Sequence, residues 1–487
     1  MNNKLSRIFF VPLRLETSTY AMRARNIKKN RWPLMLLTLS FLVLSCSKDN
    51  SSITYNDYCY IKSVSLGTVK RTVEKRDRRD RTKVISTTTT SFSGSAFAMT
   101  IDQRNNIIEN RDSLPYGSQL TAVLATITFD GSMVAYREKG SNDEWIAYNS
   151  TDSLNLTKPL ELYTVSNDNQ SHRIYTFKVN VHKQEGDSLY WDMCESEVEP
   201  LTGMSDMKAF VLNDKLMVLG QKTSGIVLAE RSSTEAQGEW EETATTGMPL
   251  TVNLQTLRQQ DDKLYLSTSD GEIFSSTDAK DWHQTGTSHA EGLTLIEKTD
   301  RFFYAISEGK MLRSEDAEDW EEDKLDTEAI MLPNSEFRTL TLQQTNGNSR
   351  IVMVGHGDGS ANAVVWNKMW NETEKEEDTQ WTYFPISPDN KIPCPRLQYF
   401  NLLPYDGKCI AFGGASTDES RKALDAMYIS QDYGITWRPD QELHMPIQME
   451  GIEGPITSTV DTNNFIWIIT NAQVWRGRLN RLGFAQQ

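Results

Sequence analysis

Three stretches of this chain repeat one pattern: Ser276-Thr277-Asp278-Ala279-Lys280-Asp281-Trp282, Ser314-Glu315-Asp316-Ala317-Glu318-Asp319-Trp320 and Ser430-Gln431-Asp432-Tyr433-Gly434-Ile435-Thr436-Trp437. A hydroxyl followed two positions later by a carboxylate can accept and donate hydrogen bonds around a tight turn, and Gly434 supplies a positive φ. The indole that ends each copy can fill the gap between neighbouring sheets. A pattern that recurs at fixed places constrains the fold more than any composition does, because it implies one supersecondary unit used several times. Six copies of a larger unit can be laid out beyond Pro200. Their first strands are read at 208–212, 254–258, 293–297, 337–342, 397–403 and 456–460. The second strands are read at 215–219, 263–267, 301–306, 350–354, 408–412 and 465–469. These short apolar runs bounded by turns suit strands buried on both faces.

A Trp opens the fourth strand at Trp240, Trp282, Trp320, Trp381 and Trp437, five for six units. The sixth has two expected solutions. Residues 189–193 could complete it from upstream, since Asp187 stands four before Trp191 as Asp278 stands four before Trp282; equally, residues 479–484 could turn back as the fourth strand. The first solution joins both ends of the repeat region in one sheet and leaves the ring without free edges.

The S-x-D-x-G-x-T-W of residues 430–437 resembles the Asp-box of bacterial-neuraminidase-type repeats, which marks the hairpin between the third and fourth strands of a propeller blade. The resemblance implies an all-β chain ending in a six-bladed β-propeller. It implies structural roles for Ser276, Asp278, Trp282, Ser314, Asp316, Trp320, Ser430, Asp432, Gly434, Thr436 and Trp437, remote from any binding face. Phe412-Gly413-Gly414-Ala415 is similar to the Gly pair after the second strand of kelch blades.

Ahead of the repeats, residues 55–185 alternate β-rich runs with turns, the pattern of a small sandwich. The basic run 70–83 is interleaved with Glu74, Asp77 and Asp80 and offers no aromatics for base stacking, so it reads as a long solvent-exposed hairpin continuing into 84–92. Asp130-Gly131 reads as closing a second hairpin. The ending at 159–182 resembles the last hairpin of immunoglobulin-like modules that head many lipoproteins of the Bacteroidota. With the phrases at 65–71, 112–117 and 180–191, the mature chain resembles a family of such lipoproteins without a known function.

The N-terminus explains the compartment. Residues 34–44 are mainly apolar, follow Arg23, Arg25, Lys28, Lys29 and Arg31, and are too few to span a bilayer stably. Residues 1–45 therefore read as a signal peptide, with 1–21 explained by a mis-assigned start. Val43-Leu44-Ser45-Cys46 resembles a bacterial lipobox, which implies lipid on Cys46, a tether over 46–54 and an outer-membrane location. A cell-surface or a periplasmic face both stay open, because Ser47-Lys48-Asp49-Asn50 resembles an export tag only weakly. Removing residues 1–45 leaves 43 basic and 65 acidic residues, a formal net charge of −22. So acidic a surface repels nucleic acid and anionic headgroups.

Chemistry-bearing residues are sparse. Cys59, Cys194, Cys394 and Cys409 lack metal-ligand spacing; Cys394 and Cys409 are expected as a bridge or as two buried thiols. None of the six histidines has zinc spacing, and His356-Gly357-Asp358-Gly359 reads as a tight hairpin. The acidic stretch 368–378 reads as an exposed loop. Phe337-Arg338-Thr339-Leu340 is the sole near match to a sialidase motif and stands in the fourth unit. No cofactor and no metal are expected. Two functions follow: a non-catalytic binding or scaffolding lipoprotein for a glycan, peptide or partner protein, or a carbohydrate-active propeller enzyme. Converging Arg, Tyr and carboxylates in the central channel would favour the enzyme.

Overall fold

The computed structural model describes residues 57–481, apart from 78, 81, 288–291, 345, 359, 387–389, 440–442, 471 and 472. The leader and Cys46 lie outside the described residues. Everything from residue 56 onward belongs to one compact unit.

After residue 187 the described residues form six four-stranded antiparallel sheets. Their innermost strands are Asp206–Leu212, Val252–Gln260, Thr294–Lys298, Ser335–Gln343, Asn401–Tyr405 and Thr457–Val460. Middle strands such as Ile466–Ile469 are buried on both faces, which a lone sheet cannot achieve. Each sheet therefore needs a neighbour on either side. The inner strands contact one another in chain order, and Thr457–Val460 returns to Asp206–Leu212, so the array is a closed β-propeller.

The sixth sheet recruits its outer strand from upstream. Ser188–Ser196 pairs antiparallel with Gln473–Asn480, with Leu189 opposite Leu479 and Trp191 opposite Gly477. Residues 479 and 480 already belong to the third strand of that sheet, so they do not turn back as a fourth. Gly477 is required by the pairing: a Cβ there would lie 2.5 Å from the Trp191 ring.

One indole per sheet is wedged against the sheet before it. Trp282 packs with Phe210 and Leu212 of the first sheet, Trp381 with Tyr304 and Met311 of the third, and Trp437 with Val352 and Val365 of the fourth. Trp320 lies against Tyr265 and Ile273, Trp240 against Trp467, and Trp191 against Leu403 and Ile410. Trp191 thus takes the place that the other five indoles take in their own sheets.

The N-terminal domain stacks a three-stranded sheet, Tyr60–Leu66, Val123–Asp130 and Ser153–Leu154, on a six-stranded one. The six run in the order Met99–Asp102, Ile107–Asn110, His172–Lys178, Leu160–Val165, Met133–Glu138 and Ile146–Ala147. Ile61, Leu66, Val123, Leu162, Tyr175 and Phe177 meet in its core. Asp130-Gly131 does not close a hairpin here. The strands on either side of it lie in different sheets, and Ser132 N–H donates to Val165 O, carrying the chain across.

The basic run does form a ribbon, Thr68–Arg76 paired with Val84–Ser93, but its tip is not free in solvent. Arg79 ion-pairs with Glu450 at 2.6 Å, and its carbonyl accepts from Ile447 N–H at 2.9 Å. The tip therefore docks on the loop between the fifth and sixth sheets. The acidic stretch is likewise not a free loop throughout. Lys368 belongs to the strand Val364–Trp370 and is fully buried, bonded to Asp323 at 3.0 Å; Glu376 is buried against Thr299 and Tyr304. Buried charges survive when each has a partner, and here the partners come from the adjacent sheet. His356 ends one strand and Val364 begins the next, so residues 357–363 form a loop too long for a tight hairpin. Arg396 holds that loop through the carbonyls of Gly357 and Ser360.

Candidate functional site: the central channel

The three repeated turns sit where the third strand of a sheet passes to the fourth, immediately after Ser276, Ser314 and Ser430. In each, the Ser hydroxyl donates to the Asp carboxylate at 2.8–3.0 Å and accepts a backbone N–H: Ala279, Ala317 or Gly434. Asp278 then accepts the N–H groups of Lys280 and Asp281, Asp316 those of Glu318 and Asp319, and Asp432 both the N–H and the hydroxyl of Thr436. Indole N–H groups of Trp282, Trp320 and Trp437 close the turn on the carbonyls of Ala279, Ala317 and Gly434. The Ser hydroxyl, one Asp oxygen and the indole N–H of each copy are all engaged within the turn, which is a structural use of the motif. Backbone N–H bonds from Asp319 and Glu318 hold Asp316 below the usual carboxylate range. At Asp278 and Asp432, burial alone would raise the carboxyl, and the hydrogen bonds outweigh it.

The channel is different. Inner strands of all six sheets line a cavity of about 490 Å³. Lys208, Arg258, Glu297 and Thr339 face its interior; Gln260, Asp300, Gln343 and Trp370 stand where the strands finish, at the mouth. Arg258 is 7% exposed. Its guanidinium donates to the carbonyls of Ile296, Gln255 and Leu257, while Nη2 has no partner among the described residues. Arg338, the Arg of the near match to the sialidase motif, is buried close by and donates to Phe337 O at 2.7 Å. Lys208 is reached by channel solvent yet walled off from the bulk. Burial, then Arg338 and Arg258, push its ammonium down to about 7. Arg258 is pushed down to about 10 by burial, and burial also lowers Arg338.

The carboxylates around these cations are already engaged. Glu297, which burial pushes upward, accepts Lys298 N–H at 3.0 Å. Asp300 accepts Gln260 at 2.5 Å, and Glu376 accepts Thr299 and Tyr304 at 2.8 and 2.9 Å. Tyr304 and Glu376 are a hydrogen-bonded Tyr–Glu pair, but Tyr304 has 0% exposure and burial raises its phenol, so no substrate reaches it as a nucleophile. The channel wall thus gathers Arg258, Lys208 and Lys298 with hydrogen-bonded carboxylates, and no Tyr. That arrangement can hold an anion more readily than it can pass a proton.

Elsewhere, chemistry is absent or inert among the described residues. No group of three His, Cys, Asp or Glu could hold a metal. No helix is long and apolar enough to cross a membrane. Cys59, Cys194, Cys394 and Cys409 are all free and buried, so Cys394 and Cys409 form no bridge. Burial pushes the Cys194 thiol up to about 11 and Cys409 up to about 12, which keeps both protonated and unreactive. His356, 2% exposed, is pushed down to about 4 by burial and then by Arg396 and Arg338. It is neutral at physiological pH.

Sequence reasoning did not assemble the channel cations. One signal was present: Lys208, Arg258, Glu297 and Arg338 each put a charge into a first strand that is otherwise rich in apolar residues.

Two family models match the chain. The DUF6242 N-terminal domain, a domain of unknown function, covers residues 64–179, and the DUF6242 beta propeller domain covers residues 185–487. No curated protein matches. Several solved structures are similar at low identity. One is an α-L-arabinofuranosidase, Arb93A from Fusarium graminearum, in complex with an iminosugar inhibitor. It is 12% identical over 62% of this chain and 99% of its own, with a TM-score of 0.36. YCF48 from Cyanidioschyzon merolae is 12% identical over 59% of this chain and 98% of its own, with a TM-score of 0.31. YjhT is 10% identical over 57% and 94%, with a TM-score of 0.37.

Proposed function

Since the chain belongs to the DUF6242 family and carries both of its domains, we propose that it is a non-catalytic binding module whose ligand enters the propeller channel. The observation that carries this reading is the inventory of the channel. Arg258 keeps an unused donor, Nη2, while the carboxylates are tied to neighbouring N–H and hydroxyl groups. Glycoside hydrolysis needs two carboxyl groups free to act across one bond, and the cavity lining offers no such pair among the described residues.

Around that function we place the remaining architecture. The six sheets are the full set of blades, the three repeated turns are Asp-boxes that brace them, and the N-terminal domain is an Ig-like sandwich serving as a spacer. Lipid on Cys46 holds the protein in the outer membrane of a member of the Bacteroidota, with its body at the cell surface. Glycan, peptide and partner protein are all candidate ligands for the channel.

Two experiments test these readings. Retention of the full chain on an array of glycans and peptides, with ligand mass unchanged afterwards, supports binding; a shortened ligand overturns it. Metabolic labelling with palmitate tests the anchor: label on the wild type and none on Cys46→Ala is expected, and equal label on both sinks it.

A further inference from the structure

Lys208 and Arg258 line the channel, and Arg338 lies close enough to act on both. The charges acting most strongly on Lys208 are the Arg338 and Arg258 guanidiniums, ahead of Asp206 and Glu297. Those carboxylates are already used. Asp206 accepts Gln255 at 2.7 Å and Met207 N–H at 2.9 Å, and Glu297 accepts Lys298 N–H at 3.0 Å. Glu336, 3.9 Å from Arg338, accepts Phe400 N–H at 3.3 Å. Arg258 Nη2 is buried and has no hydrogen-bond partner among the described residues, and the half-buried Lys208 opens to the channel beside it. A buried cation with an idle donor is costly, and an anion bound there would satisfy it.

The mouth adds a second kind of chemistry. Trp370, half-buried, shares it with Gln260, Thr341, Gln343 and Ser349: one aromatic face among amide and hydroxyl groups. Such a set suits a ring that is apolar on one face and bears hydroxyls at its edge. The cavity, about 490 Å³, has the size of a small-ligand site.

We propose that the channel seats an acidic saccharide, its carboxylate at Lys208 and Arg258 and its sugar ring at Trp370. This rests on the binding reading and names the ligand class. Arg258 offers its one idle donor, Nη2, to the carboxylate, and Lys208 adds a point charge that exists only while it is protonated. Because burial and its two cationic neighbours push Lys208 down to about 7, binding weakens as the pH rises through that value.

Calorimetric titration of the full chain with tri-galacturonate, tri-glucuronate, their methyl esters and sodium acetate tests the proposal at pH 6 and pH 8.5. Expected are binding of at least one oligouronide at pH 6, at least tenfold weaker binding of its ester, and a loss of affinity at pH 8.5. Lys208→Met weakens the oligouronide at least tenfold, Lys208→Arg restores it at both pH values, and Trp370→Ala weakens it while leaving acetate unchanged. Thermal melts confirm that each variant is folded. If ester and acid bind alike, or Lys208→Met changes nothing, the carboxylate seat is wrong although the channel still binds. Acetate binding as tightly as an oligouronide removes the sugar, and no binding by either uronide overturns the proposal outright. Cleavage of either oligomer instead removes the non-catalytic reading on which it stands.

Discussion

Asp432 illustrates how much a single side chain can do in this fold. It accepts from Ser430, from Thr436 N–H at 2.9 Å and from the Thr436 hydroxyl at 2.6 Å. Asp432→Ala strands those donors and should cost about 2–3 kcal/mol, read from urea unfolding. Asp278, Asp316 and Asp432 all have folded pKa values below their unfolded ones, so the stability they add is present above about pH 4. It is lost as the pH falls through the lowered values, and Asp432→Asn should flatten that acid limb. Lys208 has the opposite sense. Its folded pKa, about 7, lies below the unfolded value, so the unfolded chain binds more protons between about pH 7 and 10, and stability rises with pH there. Lys208→Met should therefore raise the melting temperature at pH 6, with a gain that shrinks by pH 10. At this scale the sequence showed the turn chemistry but not all of its backbone. Only residues 430–437 carry a Gly; Ala279 and Ala317 take the left-handed conformation at φ 63° and 67° because the turn around them leaves no alternative.

Strands were legible because apolar runs of four or five residues, bounded by turns, have few other uses. The upstream strand Ser188–Ser196 was legible for one reason, an acidic residue four before a Trp, and its partner strand is pinned by Gly477. Gly477→Ala forces a Cβ against the Trp191 ring and should destabilise by about 1–3 kcal/mol, measured as a shift in denaturant midpoint. What the sequence hid were contacts whose two halves are far apart. A run of alternating charges such as 70–83 looks solvated wherever it lies, so nothing in it announced that Arg79 meets Glu450. Lys368 and Glu376 read as loop charges because their partners, Asp323 and Tyr304, belong to the neighbouring sheet. The channel cations were hidden in the same way, set in separate strands and gathered only when the ring closes.

Seen whole, the molecule is a ring whose first and last strands share one sheet. No sheet can bury both faces without its neighbours, so most of the apolar sequence is used in closing the circle, and the centre is left to charged and polar residues. Closure places Lys208 of the first sheet and Arg258 of the second on the wall of one cavity, and the binding reading depends on that convergence. The most direct measurement is a count of new reducing ends alongside retained carbohydrate, when the full chain is incubated with neutral and acidic polysaccharides. Retention of an acidic polymer, lost in Lys208→Met and accompanied by no new reducing ends, is the predicted result. New reducing ends that disappear in Glu297→Gln would contradict the account.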